Sequence, residues 1–265
     1  MRKALLLFVV VALFAVPSAF AGGEQEGDDQ ITVGYPVQSM ENDYFVSVVE
    51  GMRAEADRLG VNLIVADAGA NASSHIDHID NFIAQQVDAI IISPVDETAP
   101  QNAVQEAVSS GIPVVALNQP VEGASARLLM NEYEYGYMGG QIAGEWLNQK
   151  EADGTIDDIL NDEGEIEAAI VRYDTIASLI ERGDGLKDGI TETYTGDTPV
   201  NFVFEQDAAD SAGGQQIAET AFTANPDISI VAAINDSGAL GVFEAARALG
   251  RDPSNLARSE ERRVG

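Results

Sequence analysis

Beyond Gln30, short β-branched runs alternate with longer stretches of helical period. This pattern predicts parallel strands buried between helices on both faces. Strand character falls at Ile31–Val37, Val61–Asp67, Ala89–Ser93, Val114–Leu117, Arg127–Met130, Glu167–Arg172, Val200–Glu205 and Ile228–Ile234. Helical spacing falls at Tyr44–Leu59, Ala72–Gln86, Thr98–Ser109, Tyr133–Gln149, Ile176–Ile190, Ser211–Thr223 and Gly238–Leu249. On the first of these, Phe45, Val48, Val49, Met52 and Ala56 share one face, with Arg53 and Asp57 elsewhere. Gly60 and Gly250 stand just past helices, where a left-handed cap needs no Cβ. Gly111 with Pro113, and Asn225-Pro226-Asp227, stop helices before the next strand.

The α/β pattern runs twice, and its style changes near Met130–Tyr133, where a strand passes directly into a long helix. A first hinge crossing is therefore expected at Asn131–Glu132. Lys150 to Glu165 is acidic and reads as an elaborated, solvated loop. Its Asp153, Asp157, Asp158 and Asp162 do not keep the spacing of a calcium loop. After the turn Asp252-Pro253-Ser254-Asn255 another buried strand is due, and Leu256-Ala257 starts one. Arg258-Ser259-Glu260-Glu261-Arg262-Arg263 then follows, which no strand buried on both faces accommodates. Residues 258–265 are therefore expected to be a non-native tail.

The amino terminus settles the expected compartment. Arg2 and Lys3 precede an uncharged apolar run, Ala4 to Val16, and Ser18-Ala19-Phe20-Ala21 supplies the small residues of a signal-peptidase site. The run is too short to span a bilayer, so residues 1–21 read as a cleaved export leader, placing the mature chain in the periplasm or extracytoplasmic envelope. Residues 22–30, polar and Gly-rich, read as a flexible lead-in. The absence of cysteine excludes a disulfide framework and a lipid-modified Cys. A net charge of −30 makes nucleic acid and anionic headgroups poor partners.

In open α/β sheets, ligands sit beyond the carboxyl ends of the strands. The residues expected there are Asn42, Tyr44, Phe45, Asp67, Asn118, Gln119, Tyr173, Asp174, Arg182 on the following helix, Asp207, Asp210, Asn235 and Asp236. Amides and carboxylates can engage neighbouring hydroxyls as donors and acceptors, and charge-assisted bonds are the strong members of such a set. Aromatic rings cover the apolar face of a sugar while polar groups fix its orientation. No cofactor, metal centre or catalytic constellation is implied.

Asn42-Asp43-Tyr44-Phe45-Val46 leads into Gly51-x-x-x-Glu55-Ala56 and Leu59-Gly60. Further on come Ile92-Ser93-Pro94, Gly111-Ile112-Pro113-Val114-Val115, Glu181-Arg182-Gly183-x-Gly185, and Ile234-Asn235-Asp236 followed by Ala239-Leu240-Gly241. In this order and spacing, from Ile31 to about Ala257, the chain resembles the ribose-binding-protein-like branch of the type I periplasmic binding proteins. The resemblance implies two doubly wound α/β lobes, residues 31–131 and 132–257, joined by a hinge and closing on a monosaccharide or similar polyol. It implies a monomer that presents its ligand to an ABC permease in the inner membrane. Asn42, Tyr44 and Phe45 would contact ligand from the first lobe, and Arg182 and Asn235 from the second. Asn118 and Gln119 stand where ribose binders usually carry an Asp-Arg pair, which argues against ribose itself. Ala209 stands where such binders tend to carry an aromatic wall, leaving Tyr173 to supply stacking. Two of the family's three crossovers and its later Asp and Gln ligands would follow residue 257, so the second lobe is expected to be incomplete.

Several residues have two readings. Phe45 is expected to be largely core and Tyr44 a ligand wall. Asn235 is expected to reach ligand while Asp236 caps the following helix. Asp67 and Asp174 fit either a cap or a ligand contact. Arg182 fits a ligand contact or a surface pair with Glu181 or Asp184. His75 and His78 lie on one helical face, expected to be solvated, with no third metal ligand implied. The glycines of Gly136-Tyr137-Met138-Gly139-Gly140 follow no strand as a dinucleotide fingerprint would, and are expected to permit close helix packing near the hinge. A sensory module handing a sugar or signalling furanone to a receptor or kinase shares this fold. A hydrolase using Asp174 and Asp207 lacks a nucleophile–base constellation.

Overall fold

A parallel strand cannot return through a tight turn, so most strands here are followed by a helix that carries the chain back across the sheet. The exception is Val114–Asn118, which runs through a loop to Ala126–Leu129. The computed structural model describes residues 30–251 and the backbone of residues 257 and 258. The expected leader, nearly all of the lead-in and the tail from residue 259 lie outside the described residues. The first lobe holds β1 (Thr32–Val37), α1 (Asp43–Leu59), β2 (Asn62–Asp67), α2 (Ala72–Gln85), β3 (Ala89–Ile92), α3 (Gln101–Ser109), β4 (Val114–Asn118) and β5 (Ala126–Leu129). Its sheet is parallel throughout, in the order β2-β1-β3-β4-β5.

The second lobe opens with the long α4 (Glu132–Asp153), followed by β6 (Ile166–Arg172), α5 (Ala177–Thr193), β7 (Val200–Asp207), α6 (Ser211–Ala224), β8 (Ile228–Ala233) and α7 (Asp236–Ala248). Its sheet runs β7-β6-β8-β9, where β9 is Ala257–Arg258 paired in parallel with β8. Arg258 thus belongs to a strand by its backbone, one residue past the boundary expected from its charge. The order reverses beside β1 in the first sheet and beside β6 in the second, which opens a crevice at the carboxyl ends of both. The central strands are the most buried: Ile90 and Ile92 in one lobe, and Ile166, Ile170, Ile228 and Ile230 in the other, are fully enclosed.

Local signals account for most boundaries. Asn42 Oδ1 accepts from Tyr44 N at the start of α1, and Gly60 ends it in the left-handed region at φ 71°. α3 starts later than its periodicity suggests, because Asp96 Oδ1 first accepts from Thr98 N and Ala99 N, and Pro100 occupies the cap position. The acidic stretch after Gln149 is more ordered than a solvated loop. α4 continues to Asp153, is capped by Gly154, and leads to a 3-10 turn at Ile156–Ile159. Ile156 and Ile159 pack on the second-lobe core and hold that turn down.

α4 and α5 lie almost backbone to backbone. A Cβ on Gly140 would stand 2.1 Å from Leu186 O, and one on Gly185 would stand 2.2 Å from Tyr133 O. The Gly-rich run is thus the close-packing surface its lack of a phosphate fingerprint suggested, and it docks the helix leaving the hinge onto the second lobe.

The expectation of a solvated histidine face fails at His75, which is 1% exposed. Its Nε2 donates to Pro36 O at 3.1 Å, while His78 Nε2 donates to Asp67 O at 3.0 Å. The pair pins α2 to the ends of β1 and β2. Burial pulls His75 down from its ordinary 6.5 to about 4, since the charged ring would lose its hydration.

Two outcomes are expected. Gly140→Ala forces a methyl into Leu186 O and should cost about 1–3 kcal/mol, the scale of an overpacked core. An unchanged urea midpoint would show that the helices are not in backbone contact. For His75, the unfolded chain binds a proton at pH values where the folded chain does not, so stability should be full above pH 6.5 and decline toward pH 4. The decline amounts to a few kcal/mol, at about 1.4 per pH unit. His75→Gln should flatten that limb of a stability–pH curve measured by urea melts, and an unaltered slope would assign the loss to other groups.

Candidate functional site

The carboxyl ends of the two sheets face each other across a cavity of about 440 Å³, within the size range of small-molecule sites. From the first lobe, the chain leaving β1 turns at Gln38, whose Nε2 donates to Pro94 O at 2.8 Å. It then reaches the start of α1, where the Asn42 cap fixes the next two side chains. Phe45 is buried in the core beside Val37 and Val49. Tyr44 is 47% exposed and forms a wall of the cavity, its ring edge-on to Phe45 at 5.1 Å. Tyr44 Oη donates to Asn118 Oδ1 at 3.1 Å. Asn118, at the end of β4, has φ 68°, a left-handed backbone that asparagine tolerates better than most residues. That turn leads into Gln119, which is buried with Oε1 unpartnered.

From the second lobe, Tyr173, Ile176 and Leu179 follow β6, while Ala209 and Ile234–Ser237 follow β7 and β8. Arg182 comes from α5. It pairs neither with Glu181 nor with Asp184. Its Nε donates to Glu132 Oε2 at 2.7 Å, Nη2 bonds the same oxygen, and Nη1 donates to Ile234 O at 3.0 Å. Its guanidinium lies 4.6 Å from the centre of the Tyr135 ring. Burial pushes the Glu132 carboxyl above the usual carboxylate range, an effect that Arg182 only partly opposes.

The lobes also touch directly. Asn42 Nδ2 donates to Ala209 O at 3.5 Å. α5 has no capping side chain of its own, and Glu97 of the first lobe accepts from Ser178 N at 3.2 Å, capping that helix across the cleft.

Nine of the expected residues therefore converge on one cavity: Asn42, Tyr44, Phe45, Asn118, Gln119, Tyr173, Arg182, Asn235 and Asp236. Asp67 and Asp174 are absent from its lining. Asp67 Oδ1 accepts from Met40 N at 3.1 Å and Gly69 N at 2.9 Å, so its carboxylate organises the turn. Asp174 Oδ1 accepts from Arg172 Nε at 3.0 Å, and the Asp174 amide donates to Asp207 Oδ2 at 2.8 Å. The buried Arg172, joined by Asp184 and Glu205, draws that carboxylate away from the cleft. Asn235, not Asp236, caps α7, accepting from Gly238 N at 2.8 Å, and its Nδ2 donates to Ala209 O at 3.0 Å. Sequence reasoning missed Glu132, Glu97, Tyr135 and the apolar Ile176, Leu179 and Leu240. An acid in the first turn of a helix is ordinary, so Glu132 carried no signal that its partner would be Arg182.

The periplasmic binding protein domain matches residues 33–256. The ribose import binding protein of Bacillus subtilis (strain 168) is 29% identical over 260 residues, covering 95% of this chain and 79% of its own length. A Mycobacterium smegmatis protein crystallised with β-D-fucofuranose is 27% identical, with a TM-score of 0.71 over 84% of this chain and 70% of its own. The periplasmic binding component of the arabinose ABC transporter from Shewanella sp. ANA-3, bound to α- and β-L-arabinofuranose, is also 27% identical, with a TM-score of 0.68 over 83% of this chain and 70% of its own. Two parallel lobes, a cleft at their carboxyl ends and a family match along nearly all described residues lead to one conclusion: the chain belongs to the periplasmic binding protein family, in its type I, ribose-binding-protein-like branch.

Proposed function

We propose that this chain is the extracytoplasmic solute-binding component of an ABC importer, taking a monosaccharide or similar polyol between its lobes and presenting it, as a monomer, to an inner-membrane permease. The observation that carries the reading is the inter-lobe cavity, where amides, one guanidinium and tyrosines stand around a space of about 440 Å³. Such a set suits a ring with hydroxyls at its rim and C–H bonds on its faces. The sugars named for the relatives support the same ligand class. Closure follows from the division of contacts: Asn42, Tyr44 and Gln119 belong to one lobe, and Tyr173, Arg182 and Asn235 to the other. A ligand that bonds both sets favours the arrangement in which both are within reach. The contact from Glu97 to the α5 amino terminus adds to the closed arrangement without touching the cavity.

A thermal-shift panel of aldoses, furanose-forming pentoses and inositols tests this. A ligand at a hundredfold excess over Kd adds ~2.7 kcal/mol to stability. A cooperative melt that no member of the panel moves would remove sugars and polyols as the ligand class. Gln119→Leu should weaken the responding ligand by about 0.5–1.5 kcal/mol, the net worth of a hydrogen bond. The ligand-free melt should fall slightly, because the change also removes the side-chain hydrogen bond of Gln119 to the buried Glu132 carboxyl. Unchanged affinity by calorimetry would take Gln119 out of the site.

A further inference from the structure

The positive charge of the cavity is matched before any ligand enters. Among the described residues that line it, Arg182 is the only cation, and Asp43 and Asp236 line it as well. The Arg182 and Glu132 side chains are 12% and 4% exposed, so their pairing is poorly screened by water. Glu132 takes the Nε and Nη2 hydrogens, Ile234 O takes one from Nη1, and the Tyr135 ring covers the guanidinium. One N–H on each terminal nitrogen remains for a ligand. Glu97 lies close enough for its charge to act on Glu132, adding a further carboxylate at the cleft.

The unmet bonding capacity is of one kind. Gln119, which lines the cavity, has a buried Oε1 without a partner. Such an atom calls for a donor. A hydroxyl donates and also accepts, so it satisfies Gln119 Oε1 and the spare Arg182 hydrogens together. A carboxylate or a phosphate dianion only accepts, and its charge would meet Glu132, Asp43 and Asp236 with a single guanidinium in opposition.

We infer that Glu132 is a specificity-determining residue, whose buried carboxylate occupies Arg182 so that the cavity engages neutral polyols and rejects their anionic counterparts, the uronic acids and sugar phosphates. The inference rests on the sugar-binding reading above. Glu132 acts through Arg182 as a positioning residue, and it sets the charge that a ligand meets. Like charges brought together in a desolvated site are strongly disfavoured, which makes the filter a matter of charge and not of size.

Matched pairs test this: D-galactose against D-galacturonate, D-glucose against D-glucuronate, and D-ribose against D-ribose 5-phosphate, measured by calorimetry on the full chain and its variants. The wild type is expected to bind the neutral member of its responding pair at least roughly tenfold more tightly than the acid. An acid bound as well as its neutral partner overturns the inference while leaving the sugar reading intact. If another sugar of the thermal-shift panel is the one that responds, it is paired with its own uronate or phosphate. A wild type that responds to no sugar or polyol of that panel overturns both. Glu132→Gln keeps the volume and frees the Arg182 charge, so the neutral-to-acid affinity ratio should narrow by about tenfold or invert. A purely structural role would weaken both members alike and leave the ratio fixed, which counts against the inference. If Glu132→Gln does not melt cooperatively, Glu132→Asp decides the matter. It retains the charge and should retain the ratio while weakening the neutral ligand, and a collapsed ratio there would show that charge is not the determinant.

Discussion

The structure depends on a constraint of parallel strand pairing. A parallel strand has to be reached by a crossover, and with helices as the crossovers every strand in a lobe points the same way. All the carboxyl ends then gather along one edge, and the loops leaving them have no sheet of their own to pair with. In this chain two such edges face each other. Side chains at or just beyond the ends of β1, β4, β6 and β8 share one cavity although they are far apart in sequence. The glycine-mediated contact of α4 with α5 fixes the helix leaving the hinge to the second lobe.

That geometry also explains why polar residues at strand ends have different fates. A loop leaving a strand exposes backbone amides that need acceptors, and the nearest carboxylates or amides are taken for that purpose first. Asp67, Asp96 and Asp210 are used in this way, each accepting from amides of its own turn. Asn42 and Asn235 cap helices with their oxygens and still reach the cavity, because an amide side chain also carries donors. A carboxylate that caps has no donor to offer. The amide-rich character of the cavity follows in part from this.

Arg172 and Arg182 show how partner geometry decides role. Arg172 is surrounded by Asp174, Asp184 and Glu205 and knits the second lobe together beneath the cleft. Arg182 has a single carboxylate and a backbone carbonyl, and it lines the cavity with one hydrogen on each terminal nitrogen left over. A fully matched guanidinium is a structural group, whereas an incompletely matched one can still bind.

Much of this was legible in the residues themselves. The alternation of β-branched runs with helical period marks the strands and helices, because burial on both faces demands continuous apolar strands and an amphipathic helix demands a stripe. The cap at Gly60 is local chemistry and acts where it stands. The motif order around Asn42, Arg182 and Asn235 marked most of the cavity wall. What depended on tertiary structure was the choice of partner. His75 looks solvated by spacing and is buried, because β1 lies against that face of α2. Asp174 looks available and is claimed by Arg172 at the end of its own strand, a guanidinium that Asp184 of α5 and Glu205 of β7 also hold in place. Glu132 looks like an ordinary first-turn acid and becomes the buried counter-ion of Arg182. Periodicity and capping are interactions within a few residues and can be read in order along the chain. Ion pairing and desolvation depend on which groups the crossovers bring together, and for those only the folded chain supplies the distances.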